Sequence, residues 1–410
     1  MLLRSVRLPA YRKRLLERLG IYWNFYPKTQ GLWIHAVSVG EVVAALPLIN
    51  ALRQKYVNLP ITVTTTTPTG SQRVQQSLGN TVSHVYMPYD IPWAINSLIK
   101  KLQPSCLIIM ETELWPNVLQ QCVQHSIPVI IANGRISDRS LRGYMRLHWF
   151  IKNILQQVTF VAAQSQTDAE RFIRLGLSSS NVSVAGNLKF EVQVDVVQQQ
   201  QGAALRAAIP NRFIWVAAST HLYEEEQVIE AFKEVQLYIP QCLLILVPRH
   251  PDRFAAVAEL LKLHNLSFVT RSSGAVCDNT TKVILGDTMG ELATFYAAAD
   301  LAFVGGSLVP VGGHNLLESA VLGIPSITGP HMENFKEITK LLLDAGAISV
   351  VKNPAHLAQQ IITWWKDPDL LKNLGVKARR VVAENRGAVA TICQHLEQHK
   401  YFLVPCVTKS

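Results

Sequence analysis

Short strand-like runs, each followed by a turn and an amphipathic stretch, recur through the first half of the chain. Five such runs are rich in apolar and β-branched residues and cover residues 32–37, 61–64, 106–110, 129–132 and 158–163. Runs of this length between turns are typical of buried strands in a parallel sheet. After the first run, residues 42–55 place Ala44, Ala45, Leu48 and Leu52 on one face. This spacing predicts a helix, so we expect a βα series in the first half.

The pattern stops at residues 191–210, which include four successive glutamines, and then starts again. Strands that end in turns are predicted over 213–217, 243–247, 283–285 and 301–304. A chain of 410 residues is long enough for two such domains, each with its own core. We therefore predict an α/β protein with domains at residues 1–190 and 211–410, joined by a linker at 191–210.

The last of these strands leads into two glycine pairs, at 305–306 and 312–313, and then into a helix predicted to begin at His314-Asn315. Paired glycines let a backbone approach a ligand closely, and the N–H groups of a helix start suit a phosphate. Glu318 could accept hydrogen bonds from two ribose hydroxyls. The pattern Asn315-x-x-Glu318 is also a capping box, which requires no ligand. We expect a ligand site here because a cap alone does not need four glycines.

Charged residues follow several of the predicted strands. Glu41 comes at a helix start after the first strand, where a carboxylate could act as a general base or compensate the helix dipole. Position alone does not decide between the two. Glu111 and Glu113 follow the third strand and indicate either a site for a hydroxyl or cation, or a solvent-facing pair. Arg249 follows the strand at 243–247 and is suited to clamp a phosphate or carboxylate.

The net charge of +10 predicts an anionic partner, and two stretches carry much of it. Residues 1–20 combine six basic residues with leucines, which indicates either contact with an anionic bilayer or a helix packed on its own domain. The second stretch interleaves arginines at helical spacing with apolar residues, and we expect phosphate or bilayer contact there. Its residues are Arg135, Arg139, Arg142 and Arg146, with Leu141, Tyr144, Met145, Leu147, Trp149 and Phe150.

Composition and missing motifs exclude several classes. Charged residues are 17% and hydrophobic residues 49%, which indicates a packed globular protein. No window supplies the ~20 apolar residues of a membrane span, and no secretory signal is recognisable. The six cysteines form no C-x-x-C pair, which favours reduced thiols over disulfides or zinc. Motifs of dinucleotide-binding, P-loop, zinc protease and serine hydrolase sites are absent, so we expect neither a metal nor a cofactor.

Seven segments, in this order along nearly the whole chain, resemble the bacterial 3-deoxy-D-manno-octulosonic acid (Kdo) transferases. They are HAVSVGE at 35–41, TVTTTTPTGS at 62–71, METELWPN at 110–117, LVPRHPDRF at 246–254, GDTMGEL at 286–292, FVGGSLVPVGGHNLLE at 303–318 and GPHMENFKE at 329–337. The resemblance implies the GT-B fold, in which two Rossmann-like domains face a cleft. It implies transfer of Kdo with inversion from CMP-Kdo to a lipid A precursor (lipid IVA) in lipopolysaccharide core biosynthesis.

The resemblance also implies roles for particular residues. Glu41 matches the catalytic base of the family, on the acceptor-binding domain. On the other domain the implied CMP contacts are Pro248, Arg249, Met289, Gly290, Glu291, Asn315, Leu316, Leu317 and Glu318. Family members often begin with an apolar anchor helix, and this chain enters at the basic segment that usually follows it. We therefore expect the cytoplasmic face of the inner membrane, with peripheral attachment or an anchor upstream, and no nucleic-acid partner.

Two other classes of function stay open from the sequence. A nucleotide-sugar epimerase of the same fold would turn over a nucleotide sugar without a lipid acceptor. A basic membrane-surface binding protein would need neither a buried Glu41 nor the glycine pairs.

Overall fold

The computed structural model describes residues 14–401 of the chain, apart from residues 24, 26, 28, 29, 193 and 210. By its internal contacts the chain divides into two units, Met1–Glu191 with Asn385–Ser410, and Val192–Glu384. Each unit is built on a parallel sheet in which seven strands are described. The predicted α/β class with two parallel-sheet domains is therefore confirmed.

In the first unit the carboxyl ends of two central strands form the point at which the strand order reverses. The strands are β1 Leu32–His35, β2 Ile61–Thr65, β3 Ser83–Tyr86, β4 Cys106–Met110, β5 Val129–Gly134, β6 Phe160–Ala163 and β7 Val182–Val184. Their order is β3-β2-β1-β4-β5-β6-β7, and His35 of β1 lies opposite Ile109 of β4. In open parallel sheets, ligands bind in the crevice at such a switch point.

Helices cover both faces of this sheet. They are α1 Leu15–Arg18, α2 Val39–Lys55, α3 Pro68–Leu78, α4 Pro92–Leu102, α5 Pro116–Gln124, α6 Asp138–Arg146, α7 His148–Leu155, α8 Gln166–Arg174 and, near the C-terminus, α17 Ala388–Gln398. Because side chains alternate along a strand, Leu32 and Ile34 join one apolar cluster and Trp33 joins the other. Strands buried on both faces are mostly apolar, which is why most of the predicted runs are nearly continuous.

The second unit repeats this arrangement. Its strands are β8 Ile214–Thr220, β9 Leu243–Pro248, β10 Phe268–Thr270, β11 Val283–Leu285, β12 Leu301–Val304, β13 Ser326–Thr328 and β14 Ile348–Val350. Their order is β10-β11-β9-β8-β12-β13-β14, so the order reverses between β8 and β12. The helices are α9 Val196–Ala207, α10 Glu225–Tyr238, α11 Phe254–Leu263, α12 Leu292–Ala298, α13 Leu317–Leu322, α14 Lys336–Asp344, α15 Pro354–Trp365 and α16 Pro368–Glu384.

The limits of the two units differ from the predicted domain limits at two places. Residues 191–210, predicted as a linker, contain α9, which packs within the second unit. Gly202 permits this packing, because a Cβ there would lie 2.5 Å from the Thr294 carbonyl oxygen in α12. At the other end of the chain, α17 belongs to the first unit, where Ile392 and Leu396 are fully buried in the core.

Candidate active site

Glu41 lies in the first turn of α2, directly after the carboxyl end of β1. The Ser38 hydroxyl caps this helix: it accepts from the Glu41 N–H and donates to Glu41 Oε1 over 2.8 Å. Glu41 Oε2 accepts a second hydrogen bond of 2.8 Å from the Val37 N–H. The side chain therefore closes a variant of the capping box, in which the carboxylate reaches the N–H of the residue before the Ser38 cap.

The electrostatic environment of the same carboxyl is unusual. Glu41 is 7% exposed, and burial raises its pKa from 4.5 to about 7 against the opposing effect of the bonds from Val37 and Ser38. Glu113 and Glu111 contribute to this rise in pKa, because nearby negative charge disfavours ionisation. A carboxyl that titrates near neutral pH is matched to accepting a proton from a substrate hydroxyl.

The switch point of the first sheet thus brings Glu41 together with a pair of carboxyls, Glu111 and Glu113, that lies about 70 residues further along the chain. Glu111 and Glu113 are both partly buried, which argues against a merely solvent-facing pair. Glu113 accepts a hydrogen bond of 3.0 Å from the Trp115 indole, and burial raises its pKa. Glu111 has a left-handed backbone with φ of 57°, which is uncommon for a residue other than glycine.

The hydroxyl-rich turn after β2 supports the backbone beside Glu41. The Thr66 hydroxyl donates a hydrogen bond of 3.0 Å to the Val37 carbonyl, and the Thr67 hydroxyl accepts from the Gly70 N–H to cap α3. Val37 is therefore held on both sides, by Thr66 through its carbonyl and by Glu41 through its N–H. These contacts fix the direction of the Glu41 carboxylate.

In the second unit, the residues implied in CMP binding all follow the carboxyl ends of strands. They lie in the segments 248–249 at the end of β9, 289–291 after β11 and 315–318 after β12. Since β11, β9, β8 and β12 are adjacent parallel strands, these segments meet at one edge of the sheet. Arg249 is exposed there. Burial raises the pKa of Glu318, and the Asn315 amide and the charge of Arg249 oppose that rise.

Helix α13 begins at Leu317, later than the predicted start at His314-Asn315. The Asn315 side chain explains the difference, because its Oδ1 accepts from the Leu317 N–H at 3.1 Å. Its Nδ2 donates to Glu318 Oε1 at 3.2 Å. Asn315 and Glu318 therefore both support the helix start, and a ribose contact of Glu318 stays a prediction.

The glycine-rich turn after β12 holds a carboxylate of the protein itself. Glu224, fully buried beside the start of α10, accepts hydrogen bonds from the N–H groups of Gly306 at 2.6 Å, Ser307 at 3.0 Å and Leu308 at 2.9 Å. A Cβ on Gly305 would lie 2.8 Å from Glu224 Oε2, so the glycine is required by this contact. These three backbone donors are therefore occupied by Glu224, and the ligand site expected at the helix start behind them stays a prediction.

The turn after β11 has one charged residue that is already paired. Glu291 accepts a hydrogen bond of 2.8 Å from the Arg271 guanidinium and another from the Thr288 hydroxyl. Arg271 is the main reason that the pKa of Glu291 is lowered. Met289 is 56% exposed at the same turn. In the described parts of both units, no group of three or more His, Cys, Asp or Glu side chains is arranged to hold a metal ion.

Two histidines that the sequence did not single out stand at the switch point of the second sheet. His221 follows β8, and His314 follows the glycine-rich turn after β12. Their rings are nearly parallel, with an interplanar angle of 7°, and their Nε2 atoms are 2.8 Å apart. Only the fold reveals this pair, because 93 residues separate its members.

Helices α6 and α7 present arginines and large apolar side chains to the surface. Arg139, Arg142 and Arg146 are exposed on α6. The exposed apolar side chains beside them are Met145 at 36%, Leu147 at 54%, Trp149 at 70% and Phe150 at 39%. We call these seven residues the α6–α7 surface. None of the helices within the described ranges is long and apolar enough to cross a membrane.

The other predicted basic stretch is only partly described. Arg4, Arg7, Arg12 and Lys13 lie outside the described residues. Arg18 is 2% exposed, and its guanidinium lies 4.2 Å from the centre of the Tyr86 ring. Arg14 donates to the His84 carbonyl at 2.9 Å. These two arginines therefore pack on their own domain, the alternative that the sequence left open.

Comparison with known proteins gives matches along nearly the whole chain. Residues 13–192 match the family described as 3-Deoxy-D-manno-octulosonic-acid transferase (kdotransferase), and residues 203–381 match Glycosyl transferases group 1. The 3-deoxy-D-manno-octulosonic acid transferase of Haemophilus influenzae is 40% identical over 398 residues, which are 96% of this chain and 93% of the relative. That of Bordetella pertussis is 33% identical over 90% of this chain and 88% of the relative.

Among solved structures, the UDP-GlcNAc 2-epimerase of Neisseria meningitidis aligns with a TM-score of 0.57. It is 12% identical and covers 90% of this chain and 100% of that chain. At this identity the likeness shows the fold alone, which agrees with the predicted GT-B class.

Proposed function

The chain belongs to the 3-deoxy-D-manno-octulosonic acid (Kdo) transferase family, which makes it a glycosyltransferase of lipopolysaccharide core biosynthesis, and we propose that Glu41 is its general base. The observation that carries this proposal is the buried Glu41 carboxyl with a pKa of about 7 at the switch point of the first sheet. A glycosyltransferase is neither an epimerase nor a protein without catalysis, so the family membership removes both alternative classes.

The base acts on the acceptor hydroxyl. Ionised Glu41 takes the hydroxyl proton while the oxygen attacks the anomeric carbon of Kdo, and the bond from that carbon to the CMP phosphate oxygen breaks. CMP leaves with the bonding electron pair as a phosphate anion, a departure that needs charge stabilisation more than a strong acid. A single displacement on the face opposite CMP inverts the anomeric configuration and needs no covalent enzyme intermediate.

The donor CMP-Kdo binds to the second unit in this proposal. Its CMP contacts are Pro248, Arg249, Met289, Gly290, Glu291, Asn315, Leu316, Leu317 and Glu318. Three observations support this: these residues follow strands that end at one edge, Arg249 is exposed there, and Met289 presents an open apolar surface. An arginine guanidinium suits the phosphate, since it offers paired N–H donors that stay charged.

The acceptor is a lipid A precursor, and the proposed location is the cytoplasmic face of the inner membrane. The α6–α7 surface supports peripheral contact with an anionic bilayer. Its arginines supply electrostatic attraction, and side chains such as Trp149, 70% exposed, supply apolar area for the headgroup boundary.

The test of the catalytic role is Glu41→Gln. Glutamine keeps the size and can still bond to Ser38 and Val37, but it cannot take a proton. A general base contributes ~10²–10⁴-fold to rate, so transfer from CMP-Kdo to lipid IVA should fall by that factor while CMP affinity stays unchanged. Single-turnover transfer and calorimetry with CMP measure the two quantities.

The matched control is Asp168→Asn, because Asp168 closes a capping box with Ser165 at the end of β6. This variant should lose stability much as Glu41→Gln does, yet keep its transfer rate. If both variants transfer at rates within threefold of the wild type, Glu41 is a cap and the catalytic proposal is wrong.

A further inference from the structure

The His221–His314 pair stands where the second sheet offers its ligand crevice. Strands β8 and β12 are neighbours at the switch point, and the pair follows one strand on each side. A Cβ on Gly306 would lie 3.0 Å from the His314 ring and 3.4 Å from the His221 ring, so the glycine leaves just enough room for both. The contact is therefore a built feature of the fold.

The neutral pair can offer a ligand one N–H donor and one nitrogen acceptor. Two neutral imidazoles that share one Nε2–H···Nε2 bond leave one Nδ1 with a proton and the other Nδ1 bare. Within residues 14–401, so far as they are described, neither Nδ1 has a hydrogen-bond partner. One added proton would turn the bare Nδ1 into a second donor and give the pair a positive charge.

The anions of the donor need positive groups or N–H donors to meet them. The N–H groups of Gly306, Ser307 and Leu308 are taken by Glu224, so side chains at this edge have to supply part of that charge. Arg249 is one such group. A CMP-linked acid sugar carries two anions, a phosphate and a carboxylate, and the imidazoles are placed to meet the second.

We propose that the His221–His314 pair takes up one proton when the donor binds and so forms the subsite for the sugar carboxylate. This inference rests on the proposed donor site. It assigns the pair as a specificity-determining element, because the carboxylate distinguishes Kdo from a neutral sugar.

The charges around the pair make proton uptake depend on the ligand. Burial, together with the charges of His221, Arg249 and His250, lowers the pKa of His314 to about 4. Burial, His250 and Arg249 also lower the pKa of His221. Both shifts favour the neutral form of the pair at pH 7 in the free protein. A carboxylate beside it favours the charged form, so binding raises the pKa and affinity for the acid rises as pH falls.

Two glutamates near this cluster, Glu224 and Glu318, have hydrogen-bond partners other than the two imidazole rings. Glu224 accepts the His221 backbone N–H at 3.2 Å along with three N–H groups of the glycine-rich turn. Glu318 bonds to Asn315 and lies near Arg249.

The experiment counts protons by calorimetry near pH 7 in two buffers of different ionisation enthalpy, PIPES and Tris. Three probes are titrated: CMP, a carbon-linked CMP-Kdo analogue with CH₂ in place of the bridging oxygen, and the carboxamide of that analogue. The wild type should take up about one proton more with the acid analogue than with CMP or the carboxamide.

His221→Gln and His314→Gln should abolish the uptake of this extra proton. They should also lower the affinity for the acid analogue by roughly tenfold or more and leave the affinity for CMP unchanged. His356→Gln, an exposed histidine of the same unit, is the control and should behave as the wild type. If a variant fails to fold, the wild-type proton count still decides.

The outcomes separate this inference from the function on which it rests. Equal proton uptake with all three probes overturns the carboxylate subsite. Proton uptake with CMP but with neither analogue also overturns it, and assigns the pair to the phosphate instead. A wild type that binds neither CMP nor the analogue refutes the donor site itself.

Discussion

Glu41 caps its helix and also carries a carboxyl with a pKa of about 7, so the observed structural role is compatible with the proposed role as general base. The same contacts serve both, because the bonds from Ser38 and Val37 hold the carboxylate in one direction. The surroundings of the carboxyl, and not its hydrogen bonds, distinguish a general base from a helix cap. Burial and the carboxylates of Glu113 and Glu111 make the proton available near neutral pH.

This residue predicts a pH dependence with a definite sign. A general base works in its ionised form, so the transfer rate should rise with pH through about 7 and then level off. Glu113→Gln removes a negative neighbour, and the midpoint should then move to lower pH. Single-turnover rates between pH 5.5 and 9 measure the midpoint. Asp168→Asn should leave it in place, and a midpoint that Glu113→Gln does not move would contradict the electrostatic account.

The sequence identified the single residues at strand ends but not their partners. Glu41 and Arg249 could be located because each follows an apolar run that predicts a strand. The role of Glu224 could not be predicted from the sequence, since Glu224 and Gly306, which it contacts, are 82 residues apart. The same limit applies to the 93-residue separation of His221 and His314.

At the scale of elements, the turn between β12 and α13 depends on contacts from outside itself. Its glycines suggested close approach to a ligand, whereas the structure shows close approach to the protein. Gly305 meets Glu224, and a Cβ on Gly312 would lie 2.4 Å from the Asn334 amide. Glycine patterns therefore indicate a crowded backbone without saying what crowds it.

Glu224→Gln should loosen this turn. The amide offers one acceptor oxygen and turns an N–H₂ toward backbone donors, and each buried donor left unpaired costs about 1–3 kcal/mol. A loss of this size should lower Tm by several degrees and weaken CMP binding, because the turn leads into Asn315 and Glu318. Glu230→Gln, on the exposed side of α10, is the control. A variant with the Tm and CMP affinity of the wild type would show that the turn keeps its conformation without Glu224.

The α6–α7 surface predicts how substitutions change binding to lipid vesicles. Arg142→Ala should weaken binding to anionic vesicles by about 1 kcal/mol, roughly fivefold, and the deficit should shrink with added salt. Trp149→Ala should weaken binding in a salt-independent way, because apolar burial is not screened. Arg174→Ala, at an exposed position of α8, should change nothing. Equal cosedimentation of all variants with neutral and anionic vesicles would argue against membrane contact.

For the whole molecule, the sequence predicted two parallel-sheet domains because βα patterns repeat along the chain. It could not predict the return of the chain to the first unit near residue 385. An amphipathic helix shows that it has an apolar face but not which sheet that face covers. The short strands β3, β7, β10, β13 and β14 were missed because each is a run of three or four residues that includes polar ones, whereas the equally short β11 and β12 are apolar throughout.

The return of α17 predicts that the C-terminal helix stabilises the first unit. Leu396 is fully buried in the same cluster as Leu48 and Ile49 of α2. Leu396→Ala removes buried volume and should cost about 2–5 kcal/mol. Gln394→Ala, on the exposed side of α17, should be nearly neutral.

Thermal unfolding with and without CMP assigns this loss to one unit. If CMP binds to the second unit, it should raise the transition of that unit in the wild type and in Leu396→Ala alike. The transition that Leu396→Ala lowers should be the one that CMP does not move. If the CMP-sensitive transition falls instead, α17 stabilises the second unit and the assignment of residues 385–401 to the first is wrong.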